Sequence, residues 1–244
     1  MTITSAMILA AGLGTRMRPI TDTLPKPLVE VAGKPLIAYG LEALGRAGIK
    51  NVVVNVHYLA PLLADWLSAW PGAHIRISDE TAELLDSGGG IVKALPMLGT
   101  EPFLVLNADT FWLEEPGSTT DNLARMMDRF DSESMDILLM TARLDQATGH
   151  TGAGDFTIGD DGRLTRYKGA GDPVIYAGAI ILHPSIFRDI SEKRFSINRC
   201  FDTAAGEGRL FGSPMHGHWL TVGTPEAIAE AEAARAAYLG EPVP

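Results

Sequence analysis

Short apolar runs alternate with helical patterns through the first half of the chain. "AMIL" (6–9), "NVVVNV" (51–56), "HIRIS" (74–78) and "FLVLNAD" (103–109) are aliphatic and largely β-branched, and each predicts a strand. Between the first two, "KPLIAYGLEALGRAG" (34–48) puts Leu36, Ile37, Leu41 and Leu44 on one face and stops at Gly48, as a helix covering a sheet does. Further helices are expected from Pro61 to about Ala69 and from near Gly90. This order reads as βαβ units on a mixed, mostly parallel sheet with helices on both faces, an α/β fold.

From about Thr120 the pattern becomes one helix, a strand "MDILLM", a hairpin "DFTIGDDGRLTRY" turning at Asp161-Gly162, and a strand "VIYAGAIIL". "TPEAIAEAEAARAAYL" then predicts a helix with Thr224 as N-cap and Pro225 at its first position. No linker, repeat or low-complexity stretch divides the halves, so residues 1–244 are read as a single domain.

No window holds the 18 or so apolar residues of a membrane span, and no basic residue precedes "SAMILAAG", so a cytoplasmic protein is expected. Cys200 is the only cysteine, which excludes an internal disulfide and a thiolate metal cluster. It reads as a small buried hydrophobe. A net charge of -10 argues against a nucleic acid or an anionic membrane as partner. The first 34 residues differ: Arg16, Arg18, Lys26 and Lys34 face only Asp22 and Glu30, a balance suited to a small polyanion.

That basic segment, "MILAAGLGTRMRPITDTLPKPL" (7–28), carries the candidate chemistry. Leu9, Ala10 and Ala11 end the first strand where ligands bind in open α/β sheets, and Gly12 and Gly14 let backbone N–H groups approach an anion. Met17 stands where a dinucleotide loop needs its third glycine, and the Gly-Lys-Ser/Thr of a P-loop is absent. Thr15 and Arg16 follow the glycines. Arg16 can grip phosphate oxygens bidentately, and Lys26 supplies a point charge aimed by Pro25 and Pro27, the latter biasing Lys26 toward extended backbone.

Two other stretches carry polar groups at strand and helix ends. Asp109 closes "FLVLNAD" where a divalent cation could bridge it to phosphates. In "AELLDSGGGIVKAL" the glycine run would let a flat ring lie on bare backbone at the start of a helix. There Glu83 could accept the N3–H of uracil or thymine and the Gly88 N–H could donate to a ring carbonyl, which disfavours cytosine.

The string Leu9 to Arg16, Pro19-Ile20-Thr21 and Pro25-Lys26-Pro27 resembles the signature of sugar-1-phosphate nucleotidyltransferases. The resemblance implies a Rossmann-like nucleotidyltransferase (GT-A-like) fold with a nucleotide-binding half (1–112) and a sugar-binding half (113–244). It implies Mg2+ on Asp109, a nucleotide held by Leu9–Gly12, Gly14, Thr15, Arg16 and Lys26, and catalysis by Arg16, Lys26 and Asp109. Asn107, Gly154, Asp155, Lys168 and Gly178 would face the sugar. The segments "GHTGAGDF", "YAGAIILHP" and "GHWLTVGTPEAIAEAE", with the glycine run, are similar to the N-acetylmuramate-1-phosphate uridylyltransferases of cell-wall peptidoglycan recycling.

The implied partners are UTP and a sugar 1-phosphate, with a sugar kinase supplying the latter. A dTTP- or GTP-using relative acting on a hexose 1-phosphate, or a nucleotide-sensing relative without turnover, remain as alternatives. Arg199 and Lys168 are the candidates for reading the lactyl carboxylate of N-acetylmuramate. One position departs from the family pattern: Thr221 stands where a second, metal-binding aspartate is usual.

Overall fold

In the computed structural model, which describes residues 3–241, the first apolar run is strand β1 (Ser5–Leu9). After it come a short antiparallel pair, β2 (Glu30–Val31) and β3 (Lys34–Pro35), then helix α1 (Leu36–Arg46), β4 (Asn51–Val56), α2 (Ala60–Ser68) and β5 (His74–Asp79). Helix α3 (Asp86–Leu98), β6 (Phe103–Asn107), β7 (Thr110–Leu113) and α4 (Asn122–Arg129) complete the first part. The remainder is β8 (Ile137–Arg143), β9 (Ala147–Thr148), β10 (Phe156–Ile158), β11 (Leu164–Arg166), β12 (Pro173–Leu182), α5 (Asn198–Gly206), β13 (Leu210–Pro214), β14 (His218–Thr221) and α6 (Glu226–Leu239).

The main sheet runs β11-β10-β12-β6-β1-β4-β5, with β8 beside β12 and β13 beside β8. Its first half is parallel throughout, β6 and β4 flanking β1 and β5 closing the edge. The second half brings antiparallel pairs, because the hairpin β10-β11 and the long strand β12 return against it. β12 joins the halves by pairing with β6 as well as with β8 and β10.

Alternation along the strands fills both faces. Ala6, Ile8, Val52, Val54, Leu104 and Leu106 pack under α1, α2 and α4, whereas Met7, Val53, Phe103 and Val105 pack under α3 and α5. A fully buried Leu, Ile or Phe contributes about 1.5–3 kcal/mol, so continuous burial on both faces makes this sheet the rigid frame. Ile37, Leu41 and Leu44 of α1 face the sheet as expected; Leu36 instead joins a third cluster with Phe111, Val222 and Ala231, covered by α6. Among the described residues no helix is long and apolar enough to cross a membrane.

Two local features position the site. Helix α3 opens at Asp86 rather than near Gly90, so the three glycines lie inside it, all buried. They are there for close packing: a Cβ on Gly88 would collide with the Phe195 ring, one on Gly89 with the Lys193 carbonyl, and one on Gly90 with Glu80 Oε1 at 2.7 Å. In β12 the register slips between Tyr176 and Ile180, and Gly178 sits in that bulge at φ +79°, where a Cβ would strike Thr110 Oγ1.

Gly88→Ala and Gly45→Ala should therefore move stability in opposite directions. Gly88→Ala overpacks a full site and should cost about 1–3 kcal/mol. Gly45 lies in α1 with nothing within 4 Å of its would-be Cβ, so alanine there should add about 0.5–1 kcal/mol. Thermal unfolding of both variants checks this, and a shift of the same sign in both would contradict it.

Candidate active site

The carboxyl ends of β1, β4, β5 and β6 open on one edge of the sheet, and a cavity of about 350 Å3 lies there. Its wall is built from Leu9, Ala10, Ala11 and Gly12 after β1, Lys26 and Pro27, and Asn107, Ala108 and Asp109 at the end of β6. Asn55, Glu80, Leu84, Asp86, Ser87 and Arg194 complete it.

A buried relay fixes the floor. The Ala10 N–H donates to Asn55 Oδ1 at 2.7 Å, Asn55 Nδ2 donates to Glu80 Oε1 at 2.7 Å, and the Leu85 N–H donates to Glu80 Oε2 at 3.0 Å. Asn55 and Glu80 are 3% and 1% exposed, so these are bonds in a low-dielectric interior. They tie the glycine loop, β4, the end of β5 and the entry to α3 into one unit.

The glycines of the first loop divide their tasks. Gly12 lines the cavity with open space where a side chain would be. Gly14, at φ +63°, lets the Lys26 stem approach: a Cβ there would lie 3.0 Å from Lys26 Cβ. Thr15, Arg16 and Met17 form a 3-10 turn, and Thr15 and Arg16 are exposed. Lys26 lies in a second such turn, Lys26–Leu28, rather than in extended backbone. The bonds Leu28 N→Pro25 O and Val29 N→Lys26 O close that turn, and Pro27 sits where no N–H is needed. The extended residue is Pro25.

Lys26 Nζ donates to Asp109 Oδ2 at 2.6 Å, with the lysine side chain 12% and the carboxylate 36% exposed. The Val222 N–H donates to the Asp109 carbonyl, and β14 pairs Thr221 with Thr110. Thr221 thus flanks Asp109 from the far end of the chain. The Arg16 guanidinium lies over Gly223, whose would-be Cβ is 3.6 Å from it. Lys26 and Asp109 thus line one end of the cavity, while Thr221 and Arg16 lie beside them on the β14 side, outside the cavity wall.

Among the described residues no three His, Cys, Asp or Glu side chains converge as a metal cage. One carboxylate, a neighbouring hydroxyl and room for phosphates and water is a donor set that suits Mg2+, which is commonly held by one or two carboxylates together with nucleotide phosphates.

On the sugar side, Asn107 lines the cavity and Gly178 faces it across the β6–β12 pairing, its would-be Cβ 3.5 Å from Asn107 Cβ. Gly154 and Asp155 lie outside the cavity wall. Gly154, at φ +103°, turns the chain against Pro173, and Asp155 Oδ2 accepts the Tyr176 N–H at 2.9 Å. Lys168 is exposed in the loop after β11, away from the cavity wall.

The pattern missed Tyr176. Its hydroxyl is buried without a partner, and burial, then the Asp109 and Asp155 carboxylates, raise its pKa, which keeps it a proton donor.

Two nucleobase contacts expected from the sequence are corrected. Glu83 points away from the cavity and pairs with Lys193, a hydrogen bond and charge contact that hold its pKa below the usual carboxylate value. A turn closed by Glu83 N→Glu80 O carries the chain outward, so the carboxylate that reaches the cavity is Glu80. The Gly88 N–H donates to the Phe195 carbonyl at 2.9 Å and is not free for a ring. The available signal was positional, since Asn55 and Glu80 are the polar residues closing "NVVVN" and "HIRISDE" at the ligand edge.

Arg199 pairs with Glu192 at 2.7 Å beside a different cavity. Cys200 is buried, its thiol pushed up to about 11, chiefly by burial, in keeping with a packing role.

Comparison with known proteins agrees with this geometry. Residues 5–237 match the family model described as Nucleotidyl transferase. The N-acetylmuramate alpha-1-phosphate uridylyltransferase of Caulobacter vibrioides is 43% identical over 93% of this chain and 95% of its own. The protein of the same name from Neisseria meningitidis is 35% identical over 96% and 99%. A UDP-glucose pyrophosphorylase solved with UDP-glucose superposes with a TM-score of 0.78 at 20% identity, over 98% of this chain and all of that one. The fold is thus the Rossmann-like one of nucleotidyltransferases, and the chain belongs to the nucleotidyl transferase family.

Proposed function

We propose that this protein transfers UMP from UTP to N-acetylmuramate 1-phosphate, giving the UDP-sugar and pyrophosphate. The observation that carries the reading is the cavity itself, with Lys26 and Asp109 at one end and the buried Glu80 carboxylate on its wall. Two relatives named for this activity, similar over nearly the whole chain, supply the sugar.

The nucleophile needs no general base. A phosphate monoester has its second pKa near ~6 and is already largely ionised at neutral pH. Its oxygen attacks the α-phosphorus of UTP in line, a P–O bond forms, and the bond to pyrophosphate breaks. Lys26 and Arg16 neutralise charge on the phosphates, and the Lys26 ammonium must leave Asp109 to do so. Asp109 would hold a divalent cation such as Mg2+, which would supply further charge neutralisation when bound. Glu80 accepts the uracil N3–H through lone pairs that Asn55 and Leu85 leave unused. Asn107, on the cavity wall, is the side-chain donor for the sugar. A sugar kinase supplies the 1-phosphate, and the reaction belongs to cytoplasmic recycling of cell-wall peptidoglycan.

A second reading, a nucleotide-binding relative without turnover, rests on Thr221 in place of the usual aspartate. A GTP-using enzyme is a third, because a mannose-1-phosphate guanylyltransferase catalytic subunit from Danio rerio is 31% identical over 91% of this chain. Pyrophosphate release from purified protein, across UTP, CTP, dTTP and GTP with a panel of sugar 1-phosphates, separates all three.

Lys26→Ala and Arg16→Ala should each lower kcat on the order of 10²-fold or more while leaving the thermal transition in place. Near-normal turnover in both would remove them from the chemistry. Glu80→Gln should lower the UTP/CTP ratio of kcat/KM about tenfold, since an amide can donate to the cytosine N3 and a carboxylate cannot. Glu83→Gln should leave that ratio alone, and the opposite pattern would return base reading to Glu83. Finally, Mn2+ binding followed by magnetic resonance should be weak with the free protein and strong with UTP present, weakened by Asp109→Asn and strengthened by Thr221→Asp. Equal metal binding with and without nucleotide would contradict the one-carboxylate site.

A further inference from the structure

N-acetylmuramate differs from N-acetylglucosamine by a lactyl ether that carries a carboxylate, so an enzyme selecting it needs a cation within reach of the ring. Most cations of the second half are already committed. Arg163 pairs with Asp161, Arg166 with Asp202, Arg199 with Glu192, Arg209 with Asp136 and Lys193 with Glu83. Lys168 is off the cavity wall.

Arg194 is different. It lines the cavity, is exposed, and makes no ion pair or side-chain hydrogen bond among the described residues. Its backbone is nevertheless fixed. The Phe195 carbonyl accepts the N–H groups of Gly88 and Gly89 at 2.9 and 3.2 Å, and the Ile197 N–H donates to Ser87 Oγ at 3.0 Å. The glycines of α3 thus serve to seat this loop against the helix, which hangs a long guanidinium at the cavity wall. Asp86, also on the cavity wall, accepts the N–H and hydroxyl of Ser87 through Oδ1 and makes no ion pair with Arg194.

Resting on the reading above, we propose that Arg194 is the specificity-determining residue that binds the lactyl carboxylate of the sugar 1-phosphate. A guanidinium fork matches a carboxylate bidentately, and Arg194, which feels the Glu83 carboxylate only at a distance, breaks no hydrogen bond or ion pair to make that contact. A phosphate of UTP is the other anion a guanidinium grips, and it differs from the lactyl carboxylate in being common to both sugars.

The experiment compares kcat/KM for N-acetylmuramate 1-phosphate and N-acetylglucosamine 1-phosphate in the natural protein, Arg194→Ala, Arg194→Lys and Arg199→Ala. The ratio of the two should fall about tenfold or more in Arg194→Ala, fall less in Arg194→Lys, and stay the same in Arg199→Ala. An unchanged ratio in Arg194→Ala overturns the proposal, as does an equal loss with both sugars accompanied by a raised KM for UTP. Failure of the underlying reading would show earlier and separately, as a natural protein with no preference for the lactyl-bearing sugar. Binding of the two UDP-sugars to the natural and Arg194→Ala proteins by calorimetry gives the same ratio without turnover.

Discussion

The site depends on one buried carboxylate. Glu80, 1% exposed, accepts from Asn55 and from the Leu85 backbone, and Asn55 in turn accepts from Ala10. Hydrogen bonds to a charged group are worth about 1.5–3 kcal/mol each, and a buried charge left without them costs more than they return. The glycine loop, two strand ends and the entry to α3 must therefore keep their places together. Gly90 belongs to the same constraint, since a side chain there would push into Glu80 and Asn55. A group that organises the floor of a cavity while keeping unused lone pairs can read a ligand at little added reorganisation.

At the other end the governing pair is Lys26 and Asp109. Bare, Asp109 would repel a triphosphate, and the 2.6 Å contact with Lys26 masks it. In the proposed reaction phosphate oxygens would compete for the same ammonium, and Asp109 would then be open to a cation. The Pro25-Lys26-Pro27 turn, closed by two backbone bonds, keeps the lysine within reach of both acceptors.

Much of this was legible in the sequence, and the parts that were not share a cause. Strands β1, β4 and β6 are apolar runs whose alternation decides which side chain meets which helix layer, and the loop after β1 follows from its glycines and its position. Local pattern carries that information. Glu83 and Gly88 were misplaced because their surroundings come from elsewhere: a turn after β5 rotates Glu83 outward, and Phe195, distant in sequence, takes the Gly88 N–H. Tyr176 and Arg194 escaped notice for the same reason, one feeling the Asp109 carboxylate from a different strand, the other placed by packing on α3. A glycine run signals that something comes close, without saying whether it is ligand or protein.

Thr221 shows how a departure from the family pattern reshapes a charge balance. The β14–β7 register sets it opposite Thr110 and beside Asp109, and its neutral hydroxyl leaves two cations, Arg16 and Lys26, against a single carboxylate. An aspartate at that position would instead set a second carboxylate beside Asp109. With threonine the proposed cation would have Asp109 as its carboxylate here, so its retention would fall mainly to the phosphates of the nucleotide.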